Sequence, residues 1–569
     1  MNKLTKHFIS ILFTIAACVS AGSAGAQAWS PYYSSAANPC MIDSSGVGTC
    51  SYPQGYSYGV AYPIYNACPN ATNADCAGYV ATGSAGDGGY SCGCGDGSSN
   101  DESANQAQYI FASWVIIGSD DAGNNRAFAR VATSYLSSSG QAVCPQININ
   151  GRMTQMTMRA AAGVMALRPT AFQPSIPAEF PLSTCEMILP IGTQFASVAG
   201  QSLPIPKEKP NRILLIGDSG CRMDTTNLQN CEDPKEWPFA LLAQLGADLS
   251  PDLVIHMGDF QYRDVPCSVS GKCPINAKSP WGYGWDTWNA DLFTPAAVLF
   301  AKAPWIVVRG NHEICSKGGQ GWFRFLNPTP YSEDRSCNNA SYDSIANYSP
   351  SYAVSLGGGS RIVVYDSANV SDGASVSDPN NNFYRQFVDA FTLAANTRYG
   401  NTIFTSHHPI LGYNNPTSTV GDSGNATLQG VMSEVMQKMY PAAATNSYYP
   451  DSINTAFHGH AHNLQTINFG VSNLPSHPAT IVSGAGGVSI AEIPVTDPPF
   501  YKTNLVAPGV KVNNMIWNND FSFALLDRIE KSAFWKYTLY NKSGNAFAVC
   551  TQAGRQLNCT PTTGNLSPS

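Results

Sequence analysis

The sequence predicts an α/β domain preceded by a small all-β region, and three observations predict it. From Arg212 onward, apolar runs of strand length recur, and each runs into polar residues at its carboxyl end: "RILLIGDSG", "PDLVIHMGDFQY", "PWIVVRGNHE", "RIVVYDS", "NTIFTSHHP", "INTAFHGHAH" and "ATIVSGAGG". Between the first two lies "EWPFALLAQLGADLSP", a helical pattern that Gly246 and Pro251 would bring to an end. From about residue 108 to 205, short strand-like runs ("YIFASWVIIG", "RAFARVATSYL", "QININGRMTQMTMRA", "CEMILPIG", "QFASVAGQSLPI") are separated by Gly, Asn and Pro turns, the spacing of a small β-sandwich. Strands that alternate with helices and deliver polar clusters at their ends describe a domain whose site is built from strand-end loops.

In chain order, residues 1–28 read as a signal peptide: Lys3 and Lys6, the apolar "FISILFTIAACVSA", then the small residues of "GSAGAQA". The run is too short and too interrupted to span a bilayer, and no later run reaches the roughly 18 apolar residues that a spanning helix needs. A secreted or periplasmic protein without a transmembrane anchor is expected, with lipoprotein processing at Cys18 a minor alternative. Cleavage would leave 16 of the 17 cysteines, an even set that reads as disulfides in an exported chain. Cys221 with Cys231, Cys267 with Cys273, Cys315 with Cys337 and Cys550 with Cys559 are near neighbours that could staple local loops, although sequence alone leaves the connectivity open. Only "CGC" at Cys92 and Cys94 approaches a zinc-thiolate spacing, and weakly.

Residues 29–105, rich in Gly, Ser, Tyr and Asn with six cysteines, suit a loop-heavy segment pinned by disulfides. Residues 106–205 form the sandwich-like region, and "PIPKEKPN" marks the passage into a catalytic domain over 206–505. Residues 506–569 complete that domain as strands and a disulfide-stapled tail. A chain of 569 residues is too long for one ordinary domain, and its 43% hydrophobic content supplies ample core. The net charge of −7 is thinly spread, with 12% charged residues and no basic run, so nucleic acid and anionic membrane gain no support as partners.

The strand ends hold the chemistry. In order they offer Asp218, Asp259, Tyr262, Asn311, His312, His407, His460 and His462, oxygen and imidazole donors without a thiolate, in a chain of only nine histidines. Borderline-hard di- or trivalent metals prefer such a set. The donors are too many for one ion, whereas two ions roughly 3.5 to 4 Å apart would use them all, with one carboxylate bridging. Singly, each has a plainer reading: a Gly-Asp at a strand end is usually a turn, Tyr262 one packed aromatic among 27 tyrosines, Asn311 a turn residue. His256 reads as a core histidine or one that supports a ligand, His458 as a supporting residue at most, and His477, in "PSHPA", as a surface residue. The conjunction of five such strand ends carries the reading.

"GDSG", "GDFQY", "GNHE", "HHP" and "GHAH" fall in the order and rough spacing of the calcineurin-like metallophosphoesterase superfamily, which the chain resembles over about residues 211 to 490. Most members carry a His two residues after the first Asp; here Gly220 stands there, and Tyr262 lies three residues after Asp259. A phenol in place of that imidazole resembles the purple acid phosphatases, and "GHAHNLQ" is similar to the tartrate-resistant acid phosphatase branch. The resemblance implies a layered β-sandwich flanked by helices. It also implies one metal on Asp218, bridging Asp259, Tyr262 and His462, and a second on Asp259, Asn311, His407 and His460, with Asn311 and His312 facing the substrate phosphate.

Phenolate is a hard anionic donor, so Tyr262 favours Fe(III), with Zn, Fe or Mn as the divalent partner. The implied activity is hydrolysis of small phosphate monoesters by attack of a metal-bound hydroxide, formed even at mildly acidic pH. Family members often carry a further His after the His-x-Pro motif as proton donor; "ILGYNNPTSTVGDSGNATL" has none, which leaves the role to His408 or His312, or to a leaving group good enough to need no acid. Trp322, Phe323 and Arg324, in the loop after "GNHE", are expected to line a pocket. Asn-x-Ser/Thr sites occur at Asn70 and Asn425. The alternatives are a phosphodiesterase or nucleotide hydrolase on the same site and, from another class, a surface binding protein with a vestigial hydrolase domain.

Overall fold

The computed structural model describes residues 106–562, apart from 121–122, 138, 171, 173, 226, 268–278, 372–380, 415–423, 470–476 and 496–498, together with strand segments at Gln27–Ala28, Cys40–Ile42, Val47–Cys50, Tyr62–Tyr65 and Tyr90–Ser91. The leader with Cys18, the Cys92/Cys94 pair, Asn70 and Cys273 lie outside the described residues. The chain divides into two compact units, Met1–Ile110 with Ser197–Ser202, and Phe111–Ala196 with Leu203–Ser569. In the first, the early strand segments pair in chain order into one sheet.

The second unit is built on two sheets. In the first, Arg212–Ile216 pairs in parallel with Leu253–His256, and that strand with Trp305–Val307. On the other side of Arg212–Ile216, four antiparallel strands follow: Ser522–Arg528, Trp535–Asn541, Ala546–Ala553 and Gln556–Pro561. The runs read over 106–205 are strands, and four of them, Ile110–Ser119, Asn125–Thr133, Ser183–Leu189 and Thr157–Ala160, continue this same sheet beyond Trp305–Val307. In the second sheet Ser360–Val364, Asn401–Thr405, Ile453–His458 and Ala479–Ser483 run parallel, flanked by Tyr352–Ser355 on one side and Leu464–Asn468 and Asn514–Asn518 on the other.

Side-chain alternation explains the layering. Ile213 and Leu215 face a core shared with Ile362, Ile403, Phe457 and Ile481 of the other sheet. Leu214 and Ile216 face outward, onto Phe239, Leu242 and Ala243 of the helix Phe239–Asp248. Helices Asn382–Ala394 and Ala426–Met439 cover the outer face of the second sheet through Phe387, Phe391, Leu428 and Met432. Parallel strands buried on both faces are the near-continuous apolar runs of the sequence. Gly246 does not end its helix, as expected, but lies inside it: a Cβ there would meet Leu214 Cδ2 at 2.7 Å, so glycine lets the helix approach the strand.

Disulfides join Cys221 with Cys231, Cys315 with Cys337 and Cys550 with Cys559, all near neighbours in sequence, and also Cys144 with Cys185 across 41 residues. Asn425 is fully buried as the cap of helix Ala426–Met439, accepting from the Leu428 N–H at 2.9 Å, so this site offers no place for a glycan. Among the described residues no helix is long and apolar enough to cross a membrane.

Candidate metal centre

Every parallel strand near the middle of the two sheets ends at the same rim. Asp218 follows Ile216, Asp259 follows His256, Asn311 follows Val307, His407 follows Thr405, and His460 and His462 follow His458. Asp218 (φ 55°), Asp259 (φ 55°) and His460 (φ 66°) adopt the left-handed conformation, which costs about 1 kcal/mol each for a residue with a side chain. The motif glycines have a steric reason. A Cβ on Gly258 would come 2.7 Å from His407 Nδ1, one on Gly459 would come 2.6 Å from Asp218 Oδ2, and one on Gly310 would overlap Asp259 Oδ1.

The seven residues expected to bind metal are brought together. The Tyr262 hydroxyl lies 2.9 Å from Asp218 Oδ1, 2.7 Å from Asp259 Oδ2 and 3.2 Å from His462 Nε2. Asn311 Oδ1 lies 3.0 Å from both His407 Nε2 and His460 Nδ1, and His407 Nε2 is 3.3 Å from Asp259 Oδ2. His407 Nδ1 donates to the Met257 carbonyl at 2.8 Å, which turns the Nε2 lone pair toward those oxygens. Lone pairs of several donor groups thus converge at about 3 Å, an arrangement that a cation between them would satisfy. Ligand atoms of Asp259, His407 and His460 all lie within 4.8 Å of one another. The donor set fits a metal centre.

The electrostatics agree. Burial opposes a charge on His407, but Asp259 and Asp218 outweigh it and push its pKa up to about 9, so the cluster attracts a cation. Burial, with Asp259 adding to it, raises Asp218 well above the carboxylate range, whereas Asp259, buried as well, is held well below that range by His407 and His312. Burial, then Asp218 and Asp259, push Tyr262 well above its ordinary value, so a phenolate there needs a neighbouring cation. His460 is pushed down to about 3, chiefly by burial and then by His407.

Gly220 is dictated by packing. A Cβ there would meet Gln261 Cα at 2.6 Å and Asp291 Oδ2 at 2.9 Å. No imidazole can therefore project from this position, and the Tyr262 hydroxyl occupies the space beside Asp218.

His312 donates its main-chain N–H to Asp259 Oδ1 at 2.8 Å, while its ring packs on Tyr262 with centroids 4.1 Å apart. Its Nδ1 is buried without a hydrogen bond, 3.6 Å from Asp264 Oδ2. His408 packs at a tilt against His460, centroids 4.2 Å apart, and pairs its Nδ1 with the Ser367 hydroxyl at 3.1 Å. Burial, first of all, holds both imidazoles well below the usual histidine range. His256 stacks on Phe260 and contacts the Ser219 hydroxyl at 2.9 Å, and His458 contacts the Ser406 hydroxyl at 3.0 Å; both support the loops behind the centre. His477 corrects the surface expectation: it is 3% exposed and packs beside Phe469 and Tyr448, because the strand it precedes is buried. Trp322, Phe323 and Arg324 are also buried, on helix Gly319–Phe325, where Arg324 donates to the Ala161 carbonyl, so they serve the core rather than a pocket at the centre.

Three supporting groups escaped sequence reasoning. The fully buried Glu313 carboxylate accepts from the main-chain N–H groups of Asp259 (3.0 Å), Phe260 (2.9 Å) and Gly310 (2.9 Å), tying two ligand loops together. Asp291, in a π-helical turn over Asn289–Phe293, accepts from Tyr262 N–H at 3.0 Å and pairs with Arg263 at 2.5 Å. Met257 offers only a carbonyl, which no side-chain pattern reveals.

Residues 211–464 match the calcineurin-like phosphoesterase family. The match supports a metal-dependent hydrolase, and Asp259, His407 and His460 form a candidate metal site at these strand ends. Among solved structures, the chain is similar to the purple acid phosphatase PPD1 from yellow lupin (Lupinus luteus) seeds, at 14% identity over 76% of this chain and 72% of that one, with a TM-score of 0.45. It is also similar to PhoD, at 12% identity over 80% of this chain and 93% of that one, with a TM-score of 0.47. No curated protein sequence matches it.

Proposed function

We propose that the protein is an exported phosphatase with two metal ions, hydrolysing phosphate monoesters in the manner of a purple acid phosphatase. One observation carries the reading: the Tyr262 hydroxyl stands between Asp218, Asp259 and His462, in a site where Gly220 leaves no room for an imidazole. Asp218, Asp259, Tyr262 and His462 would hold Fe(III), and Asp259, Asn311, His407 and His460 a divalent Zn, Fe or Mn. When bound, such ions acidify a water and polarise the phosphoryl oxygen.

The rest belongs to the chain. Met257 and Glu313 fix the donors before substrate arrives, so little reorganisation accompanies the reaction. His312, beside Tyr262 with a buried and unpartnered Nδ1, faces the phosphate as a hydrogen-bonding group. His408, over His460, is the remaining imidazole within reach of a leaving group. Export is supported by the leader pattern and by disulfides suited to an oxidising compartment.

Metal analysis with a visible absorption spectrum of the purified protein tests the centre. Two metals per chain and a tyrosinate-to-iron band that disappears in Tyr262→Phe are expected; a colourless protein with two zinc ions would refute the iron assignment. Assay of p-nitrophenyl phosphate against its bis ester across pH separates monoesterase from diesterase. Asp259→Asn is expected to lose both metal and activity, and retention of both would overturn the dinuclear reading.

A further inference from the structure

The strand end "YDS" supplies no ligand to the centre, yet the sheet register sets it beside one that does. Val364 pairs with Thr405 in the parallel strands Ser360–Val364 and Asn401–Thr405, so Ser367 and His408, each three residues further on, leave those strands side by side. Both are buried. The turn that carries Ser367 is fixed from several directions: Asp366 accepts from the main-chain N–H groups of Ser349 at 2.8 Å and Ala368 at 2.9 Å, and the Ser367 carbonyl accepts from Val370 N–H at 3.1 Å. The Ser367 hydroxyl spends its contacts on one residue. Oγ accepts the main-chain N–H of His408 at 3.0 Å and lies 3.1 Å from His408 Nδ1.

Counting the protons assigns the tautomer. An N–H can only donate, so the His408 main chain takes a lone pair of Oγ, and the hydroxyl hydrogen needs an acceptor elsewhere. Among the described residues the acceptor it meets is His408 Nδ1, and without it the hydroxyl would be an unsatisfied buried donor. Nδ1 therefore accepts, and the ring proton sits on Nε2. The neighbouring pair runs in the opposite sense. The Ser406 hydroxyl donates to the His408 carbonyl at 3.0 Å, so toward His458 Nδ1, also 3.0 Å away, it can only accept. His458 thus carries its proton on Nδ1, and its Nε2 is enclosed without a partner. His408 Nε2, equally without a partner among the described residues, is not shut off in this way. The ring it belongs to packs against His460, centroids 4.2 Å apart, beside the donors of the centre.

We propose that Ser367 is a positioning residue: it locks His408 as a neutral imidazole with the proton on Nε2, so that Nε2–H stands at the centre as a hydrogen-bond donor to the leaving-group oxygen. No proton is released from the ring. With Nδ1 already accepting from Ser367, loss of the Nε2 proton would leave an imidazolate, so His408 stabilises charge on the departing oxygen through the hydrogen bond alone. That oxygen then takes its proton from solvent water, which is left as hydroxide. This rests on the phosphoesterase reading of the centre and says what one of its imidazoles does.

The first readout does not depend on activity. In the full-length protein loaded with zinc and isotope-labelled at the histidine nitrogens, long-range proton–nitrogen NMR spectra show which ring nitrogen carries the proton, with the His408 signals identified by their loss in His408→Leu. Nε2 is expected to carry it in the parent, and Ser367→Ala, which removes the hydroxyl without adding bulk, is expected to show both tautomers. The second readout is a double-mutant cycle on p-nitrophenyl phosphate hydrolysis at equal metal content. Ser367→Ala is expected to lower kcat about tenfold, which corresponds to about 1.4 kcal/mol, with KM within about twofold, and to have no further effect in the His408→Leu background. A parent with the proton on Nδ1 overturns the lock. So does a Ser367→Ala variant with unchanged kcat, or one whose loss persists in full when His408 is absent. The expected tautomer in a protein that cleaves no phosphate ester supports the lock and refutes the phosphatase reading.

Discussion

Replacing Glu313 by Gln isolates the contribution of one buried carboxylate that touches no expected ligand side chain. Oε2 accepts from Asp259 and Gly310 N–H and Oε1 from Phe260 N–H, all within 3.0 Å. A glutamine keeps one acceptor oxygen. In its better orientation that oxygen retains two of the bonds, while its NH2 group confronts the Phe260 N–H and leaves that donor unsatisfied. A buried unsatisfied N–H costs about 1–3 kcal/mol, and the two retained bonds lose their charge assistance, about 0.5–1 kcal/mol each. Burial and the Asp259 charge both push the Glu313 carboxyl upward, so removing its charge returns part of that cost. The balance is a destabilisation of about 2 kcal/mol.

Urea unfolding at about pH 9, above the value of about 8 to which burial and Asp259 raise the Glu313 carboxyl, measures it as a lowered midpoint at unchanged slope. Because the lost bond holds Phe260, the residue after Asp259, and the weakened ones hold Asp259 and Gly310, the residue before Asn311, both donors shift, and kcat for p-nitrophenyl phosphate is expected to fall about 10²-fold at saturating metal. A variant within about 0.5 kcal/mol of the parent in stability and within about twofold in kcat would refute the view that this carboxylate organises the site.

Gly220→Ala places a Cβ against the Gln261 backbone and is expected to destabilise by about 1–3 kcal/mol in thermal unfolding, with loss of activity because Asp218 and Tyr262 are pushed apart. His477, whose pKa burial and then Arg555 depress to about 4, stays neutral in the fold while the unfolded chain protonates near its ordinary value of 6.5. The unfolded state binds more protons between these values, so stability falls as pH drops from about 6.5 to about 4. In His477→Leu the stability loss between pH 7 and pH 4.5 is expected to shrink by about 2–3 kcal/mol, measured by urea titration at each pH. Serines at both Cys315 and Cys337 open a loop of 22 residues, with an expected loss of about 2–4 kcal/mol and a rise in KM as the segment after Asn311 loosens.

The parallel strands were legible because burial on both faces leaves an unbroken apolar run, and because each stops at residues too polar to continue it. Ile213–Ile216 with Asp218 and Leu253–His256 with Asp259 show the pattern at its clearest. The antiparallel Leu464–Asn468 was not read: "LQTIN" is buried throughout although three of its five residues are polar. Gln465 satisfies itself by donating to the Tyr413 carbonyl and to Asn463 Oδ1 at 2.7 Å each, partners that no local pattern foretells. Gly246 misled for a related reason, since a stop signal and a close helix-strand contact ask for the same residue.

At the site the same division holds. Side chains that point into the centre are named by motifs, because each strand end presents its donor within two to four residues. The groups that aim those donors work through the main chain of a distant segment: Met257 through a carbonyl to His407 150 residues away, Glu313 through N–H groups on the loop more than 50 residues before it. Their partners become neighbours only when the two sheets face each other. The left-handed Asp218, Asp259 and His460 belong to this layer too, since a residue strained alone is held there by the contacts of the other strand ends. Substitutions that spare every motif residue yet break one of these main-chain bonds should therefore disable the centre as effectively as loss of a ligand.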